Sequence, residues 1–103
     1  MIREVETTEE LGEDLVGPVI RSRELADAVI EAVEQDNPAS IVTVLDRGGY
    51  VRVHTEKECV LTKRSLEQAL GRDFDLARLE VEMPSFKGRL QTRSEEFRWF
   101  YKN

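Results

Sequence analysis

One cysteine, one histidine and one tryptophan in 103 residues leave little for metal, thiol or haem chemistry. A lone cysteine, Cys59, excludes an internal disulfide and fits a reducing compartment. A tetrahedral zinc site lacks its ligands, and no Glu-x-x-His pair is present for a carboxylate-bridged di-iron centre. No apolar run approaches the ~18 residues of a membrane helix. The start, Met-Ile-Arg-Glu-Val-Glu, lacks the basic-then-apolar order of a signal peptide. Bases are scarce as well: 15 Lys and Arg face 21 Asp and Glu, a formal net charge of -6. Nucleic acid as the main partner needs the opposite surplus. These absences describe a soluble, cytoplasmic single domain that binds neither nucleic acid nor membrane.

What is present is unevenly spread. Six acids (Glu4, Glu6, Glu9, Glu10, Glu13, Asp14) fall in the first fifteen residues against one base, Arg3. With so few large apolar side chains to offset the entropy of ordering, residues 1–14 read as a flexible acidic tail. The remainder, 15–103, reads as one domain.

Within it, Leu15 to Arg21 reads as a strand that Pro18 confines to an edge or a strand start. Ser22 caps a helix with Leu25, Ala26, Val29, Ile30 and Val33 on one stripe, and Asp36-Asn37-Pro38 stops it. Ile41–Leu45 is a buried strand, and Asp46-Arg47-Gly48-Gly49 turns the chain back into Tyr50–His54. Cys59–Leu61 makes a fourth strand, and Thr62 caps a second helix that Gly71 ends. Asp75 opens a further helical turn. Period-two alternation then predicts strands over 79–83, 86–92 and 97–101. The fold class is α+β, with mainly antiparallel sheets of about seven short strands and two to three helices.

The search for chemistry is negative. His54 reads as a solvent-facing or hydrogen-bonded strand residue, and Cys59 as a small core residue rather than a reactive thiol. Glu80 and Glu82 would share one side of a strand, which fits a charged face better than a catalytic pair. Gly48-Gly49 leads into no phosphate-binding sequence. No catalytic, cofactor-binding or metal residue is assigned. Two segments instead read as surface: Met83 to Arg89, with Phe86 between proline and glycine, and the aromatic-rich Phe97 to Tyr101.

Val16-Gly17-Pro18-Val19-Ile20, Asp36-Asn37-Pro38, Asp46 through Tyr50-Val51-Arg52, Leu70-Gly71-Arg72-Asp73-Phe74 and Ser85-Phe86-x-Gly88 follow one another at telling spacings. From about residue 15 onward, this set resembles the effector, or coupling, proteins of soluble bacterial multicomponent di-iron monooxygenases. The likeness is greater to the four-component toluene-4-monooxygenase and alkene monooxygenase type than to the methane type, and the acidic first fifteen residues do not align. The resemblance implies a cofactor-free regulatory protein, a monomer when free. It would dock on the α subunit of a di-iron hydroxylase near its active site and tune oxygen activation, coupling and specificity. The segment matching Glu82 to Arg89 lies at the hydroxylase surface in that family. It implies contacts by Pro84, Ser85, Phe86 and Lys87, with Gly88 allowing close approach and Asn37, Arg47 and Tyr50 nearby. Two other readings stay open: a small-molecule-binding regulatory α+β domain, and a small enzyme using Glu80, Glu82, Arg52 and His54.

Overall fold

The computed structural model describes residues 1–102; Asn103, the last residue of the expected domain, lies outside them. Ser22 starts the longest helix, α1 (Arg23–Asp36), by accepting from the Leu25 N–H. The helix buries Leu25, Ala26, Ala28, Val29, Ala32 and Val33 on one side. That side lies on a five-stranded sheet whose strands, in chain order, are β1 (Ile2–Val5), β2 (Leu15–Ile20), β3 (Val42–Asp46), β4 (Val51–Glu56) and β6 (Ser85–Lys87). Their spatial order is β1-β3-β4-β2-β6. A second sheet, β5-β8-β7, holds β5 (Glu58–Thr62), β7 (Arg89–Thr92) and β8 (Glu96–Phe100). Helix α2 (Lys63–Leu70) begins on Thr62, which accepts from the Ser65 N–H, and ends on Gly71 at φ 74°. A short α3 (Leu79–Glu82) leads into β6. One pair, β1 with β3, is parallel and the rest are antiparallel.

Registers fix which side chains share a face. Val16, Ile20, Val42, Val44, Val51 and Val53 point from the first sheet into the main core, where α1 and the second sheet add Cys59, Leu61, Phe97 and Trp99. Phe97 and Trp99 meet edge-to-face, their centroids 6.1 Å apart. The opposite face carries Val5, Val19, Thr43, Leu45 and His54, all buried yet separate from that core. Residues between β1 and β2 cross this side: Gly12 accepts from Lys87, and Glu10, Gly12 and Asp14 border a cleft with Thr43 and Glu56.

Several expectations need correction. Residues 1–14, read from composition as a tail, lie against the sheet. Ile2–Val5 pairs its backbone with β3 and buries the single side chain of Val5, and the N-terminal ammonium meets Glu34 at 2.9 Å. Leu79–Glu82 is helical rather than extended, with Met83 as its cap, because Leu79 and Met83 stand four residues apart and bury one face while Val81 stays 65% exposed. The predicted strand 86–92 is two strands in different sheets, split where Gly88 takes φ 98°. Pro18 sits in an interior strand, not an edge; the β2–β4 register is interrupted at Gly17 and Pro18, so no ladder bond is asked of it.

His54 is neither solvent-facing nor hydrogen-bonded. It is buried with both ring nitrogens unpartnered. Burial, then the nearby positive charges of Arg52 and Lys87, lowers its pKa to about 4. Its folded value lies below the unfolded one (about 6.5), so the stability it protects is present above pH 6.5 and lost as pH falls toward 4. Unfolding free energy is expected to drop by about 1.5 kcal/mol between pH 6.5 and 5, the slope rising from half to nearly the full ~1.4 kcal/mol per pH unit as the unfolded imidazole takes up its proton. Urea denaturation of the wild type and of His54→Gln checks this, the variant lacking that slope.

Candidate functional site

The region from α3 to β6 is built from β2 outward. Arg21, just past β2, holds α3 three ways. Its backbone N–H donates to Glu82 O (3.0 Å), its Nη2 donates to Val81 O (2.6 Å), and its Nε lies 3.6 Å from Glu82 Oε1. A four-residue helix leaves its last carbonyls without internal partners, and an arginine at that end satisfies one of them. Arg21→Ala is therefore expected to raise amide hydrogen exchange over residues 81–87 by about tenfold, one lost charge-assisted bond at ~1.5 kcal/mol. Exchange in β3 should stay unchanged, and uniform loss of protection across the chain would contradict a local clip.

β6 itself pairs Ser85 with Val19, Phe86 with Pro18 and Lys87 with Gly17. Proline has no N–H, so Pro18 and Phe86 face each other as the pair that exchanges no bonds. The backbone N–H and C=O of Phe86 consequently point away from the sheet. Its ring is 43% exposed and lies on the Pro18 side, whereas Ser85 and Lys87 point to the other face. Phe86 is not a core residue. On the Ser85 and Lys87 face, β4 contributes Arg52 and His54, with Tyr50 just before it at the same alternation; Arg52 lies over the Tyr50 ring at 5.9 Å.

The structure thus brings together Ser85, Lys87 and Tyr50 on one face, with Phe86 on the opposite side of the same border strand and exposed Pro84 just before it. Arg47 is exposed at the neighbouring hairpin, and Arg89 is exposed at the start of β7 in the second sheet. Glu82 is engaged by Arg21. Gly88 serves the interior instead, since a Cβ there would lie 2.7 Å from Val16 Cγ1 and 2.8 Å from Phe100 O. Asn37 is spent inside as well. Its Nδ2 donates to Val33 O and Val60 O, and its Oδ1 accepts from the Val60 N–H, which ties the end of α1 to β5. Asp36 beside it accepts from Thr62 and Ser65. Sequence reasoning missed Arg21 altogether, since nothing in the sequence reports a helix end at Val81.

The remaining chemistry is poor. Burial pushes the Cys59 thiol up to about 12, so it stays protonated. Glu80 and Glu82 stand on a helix, not side by side on a strand. Among the described residues, no three His, Cys, Asp or Glu side chains gather as a metal site, and no helix is long and apolar enough to cross a membrane. A cleft of about 430 Å³ is lined by Arg3, Glu10, Asp14, Thr43 and Glu56 among others, acidic and open rather than an apolar pocket.

Residues 14–100 match the MmoB/DmpM family. The chain belongs to the MmoB/DmpM family. It is 57% identical over 97 residues to the effector subunit of the alkene monooxygenase system of Xanthobacter autotrophicus, covering 94% of this chain and 96% of the relative. It is 27% identical to the stimulatory component DmpM of a Pseudomonas phenol 2-monooxygenase, over 86% and 97% of the two chains. A chain in a solved phenol hydroxylase–regulatory protein complex superposes with a TM-score of 0.71 at 25% identity, over 85% of this chain and 99% of the other. The soluble methane monooxygenase regulatory protein B shares the fold, with a TM-score of 0.61 at 22% identity over 93% and 73%. This MmoB/DmpM member is an effector-type component of a multicomponent monooxygenase and not its catalytic subunit.

Proposed function

We propose that this protein binds the di-iron hydroxylase of an alkene- or aromatic-oxidising monooxygenase and tunes oxygen activation, coupling and product distribution. The observation that carries the reading is Phe86, an aromatic ring held half in solvent on the outermost strand of the sheet. Such rings are common anchors in protein interfaces. Pro84, Ser85, Phe86 and Lys87 are the contacts, with Glu82, Arg89, Arg47 and Tyr50 around them, on the hydroxylase α subunit near its iron site. Gly88 and Asn37 shape the surface from inside. The effector acts by population shift. It moves the hydroxylase only as far as it binds the active conformation better than the resting one.

The same reading divides the chain into an acidic arm, residues 1–14, and an effector domain from 15 onward; the family match starting at residue 14 supports that division. It places a monomer in the cytoplasm, where a single reduced cysteine is at ease. Hydroxylase turnover titrated with the purified protein is the test. Rate, coupling or product distribution should change and saturate. A hydroxylase indifferent in all three would end the proposal.

A further inference from the structure

Four arginines on this chain meet carboxylates: Arg21 with Glu82, Arg23 with Asp46, Arg72 with Glu24 and Arg98 with Glu58. The other seven of its eleven arginines make no such pair among the described residues, and six of those seven are exposed to solvent. Arg52 is the exception. It is half-buried, its Nε is shielded from solvent without an acceptor, and among the described residues no carboxylate reaches it. Lys87, half-buried on the same face, has the Gly12 carbonyl as its hydrogen-bond acceptor.

The registers explain how these two cations share a face. Lys87 and His54 flank Gly17, while Ser85 and Arg52 flank Val19, so β4 and β6 stand two strand spacings apart, roughly 10 Å. Gly17 contributes no side chain between them. Tyr50 holds the Arg52 guanidinium over its ring, which limits the freedom lost on binding. Partly desolvated cations with no internal counter-charge are costly in an isolated protein and useful at a charged interface.

Resting on the effector reading, we propose that Arg52 and Lys87, framed by Tyr50 and Ser85, receive carboxylates of the hydroxylase surface. They set the register of docking beside the Phe86 anchor. A planar guanidinium suits a bidentate carboxylate, and the patch adjoins the segment already assigned to the interface. It is a positive spot on a protein of net charge -6. A partner of matching local charge is steered to this face and away from the rest.

The test is a turnover titration of the hydroxylase with wild type, Arg52→Glu, Arg52→Gln and Arg64→Glu, the last an exposed cation on α2. At low ionic strength Arg52→Glu should need about tenfold more protein for half-maximal activity and Arg52→Gln about threefold more. Both penalties should shrink at ~1 M salt, where the screening length is about 3 Å. Arg64→Glu should follow wild type. A folded Arg52→Glu protein that titrates like wild type overturns the proposal and leaves the effector reading standing. So does a penalty in Arg52→Gln that salt leaves unchanged, since lost packing is not screened. A wild type that leaves the hydroxylase unaltered overturns both readings. A wild-type dimer in sedimentation that Arg52→Glu abolishes would assign the face to the acidic arm of a second copy and overturn the hydroxylase assignment.

Discussion

Phe86→Ala is expected to raise the protein concentration for half-maximal hydroxylase activity by about 30-fold, equivalent to ~2 kcal/mol of lost binding. The same change should cost only about 1 kcal/mol of folding stability, because a ring 43% exposed has little buried volume to lose. A core phenylalanine would behave the other way, with roughly 3–5 kcal/mol lost from the fold. Denaturant melting and a turnover titration on one preparation separate the two. A large stability loss with an unchanged titration would return Phe86 to the core and remove the anchor from the interface. Lys87→Glu should act in the same direction but less strongly. It removes one exposed bond to Gly12 and leaves the apolar contact in place.

Gly17→Ala is expected to damage the fold more than any substitution at the docking surface. Gly17 has φ 146°, and an added Cβ would lie closer to the Val53 carbonyl than atoms can pack and would crowd the His54 backbone. Backbone strain in this region costs of order 1–3 kcal/mol and overpacking a further ~1–3. Together they amount to about 2–6 kcal/mol, much of the stability of a small domain. The measurement is the urea midpoint, which should fall sharply or vanish. An alanine variant as stable as wild type would mean that β2 can slide away from β4 at small cost.

Local signals in the sequence were legible where one residue decides one geometry. Ser22, Thr62 and Gly71 mark their helix ends because capping depends on a side-chain oxygen or a left-handed backbone at a single position. The same logic failed at Leu79–Met83. Over five residues, apolar and acidic alternation fits a strand, while the buried pair Leu79 and Met83 fits one helical turn. Tertiary burial decided between them. The proposed docking strand depends, for its two-faced character, on Pro18, sixty-eight positions from Phe86 by difference of residue numbers. Arg21 and the proposed role of Arg52 depend on what the topology sets beside them: a helix end in one case, a half-buried position that no carboxylate reaches in the other. Asn37 shows the reverse case. A polar residue at a helix end gives no sign in the sequence that its amide is bonded to Val33 and Val60.

That last arrangement also bears on how the protein behaves in a crowded solution. β5 borders its sheet, and a bordering strand offers unpaired amides to any extended chain that drifts past. Here the outward N–H and C=O of Val60 are already closed by Asn37, at 3.0 and 2.8 Å. A side chain thus imitates a neighbouring strand for one residue, at the middle of the five that make up β5. At the opposite border of the same sheet, Arg89 and Gln91 keep β7 polar. Each border of this sheet thus carries a feature that disfavours strand-to-strand association between copies.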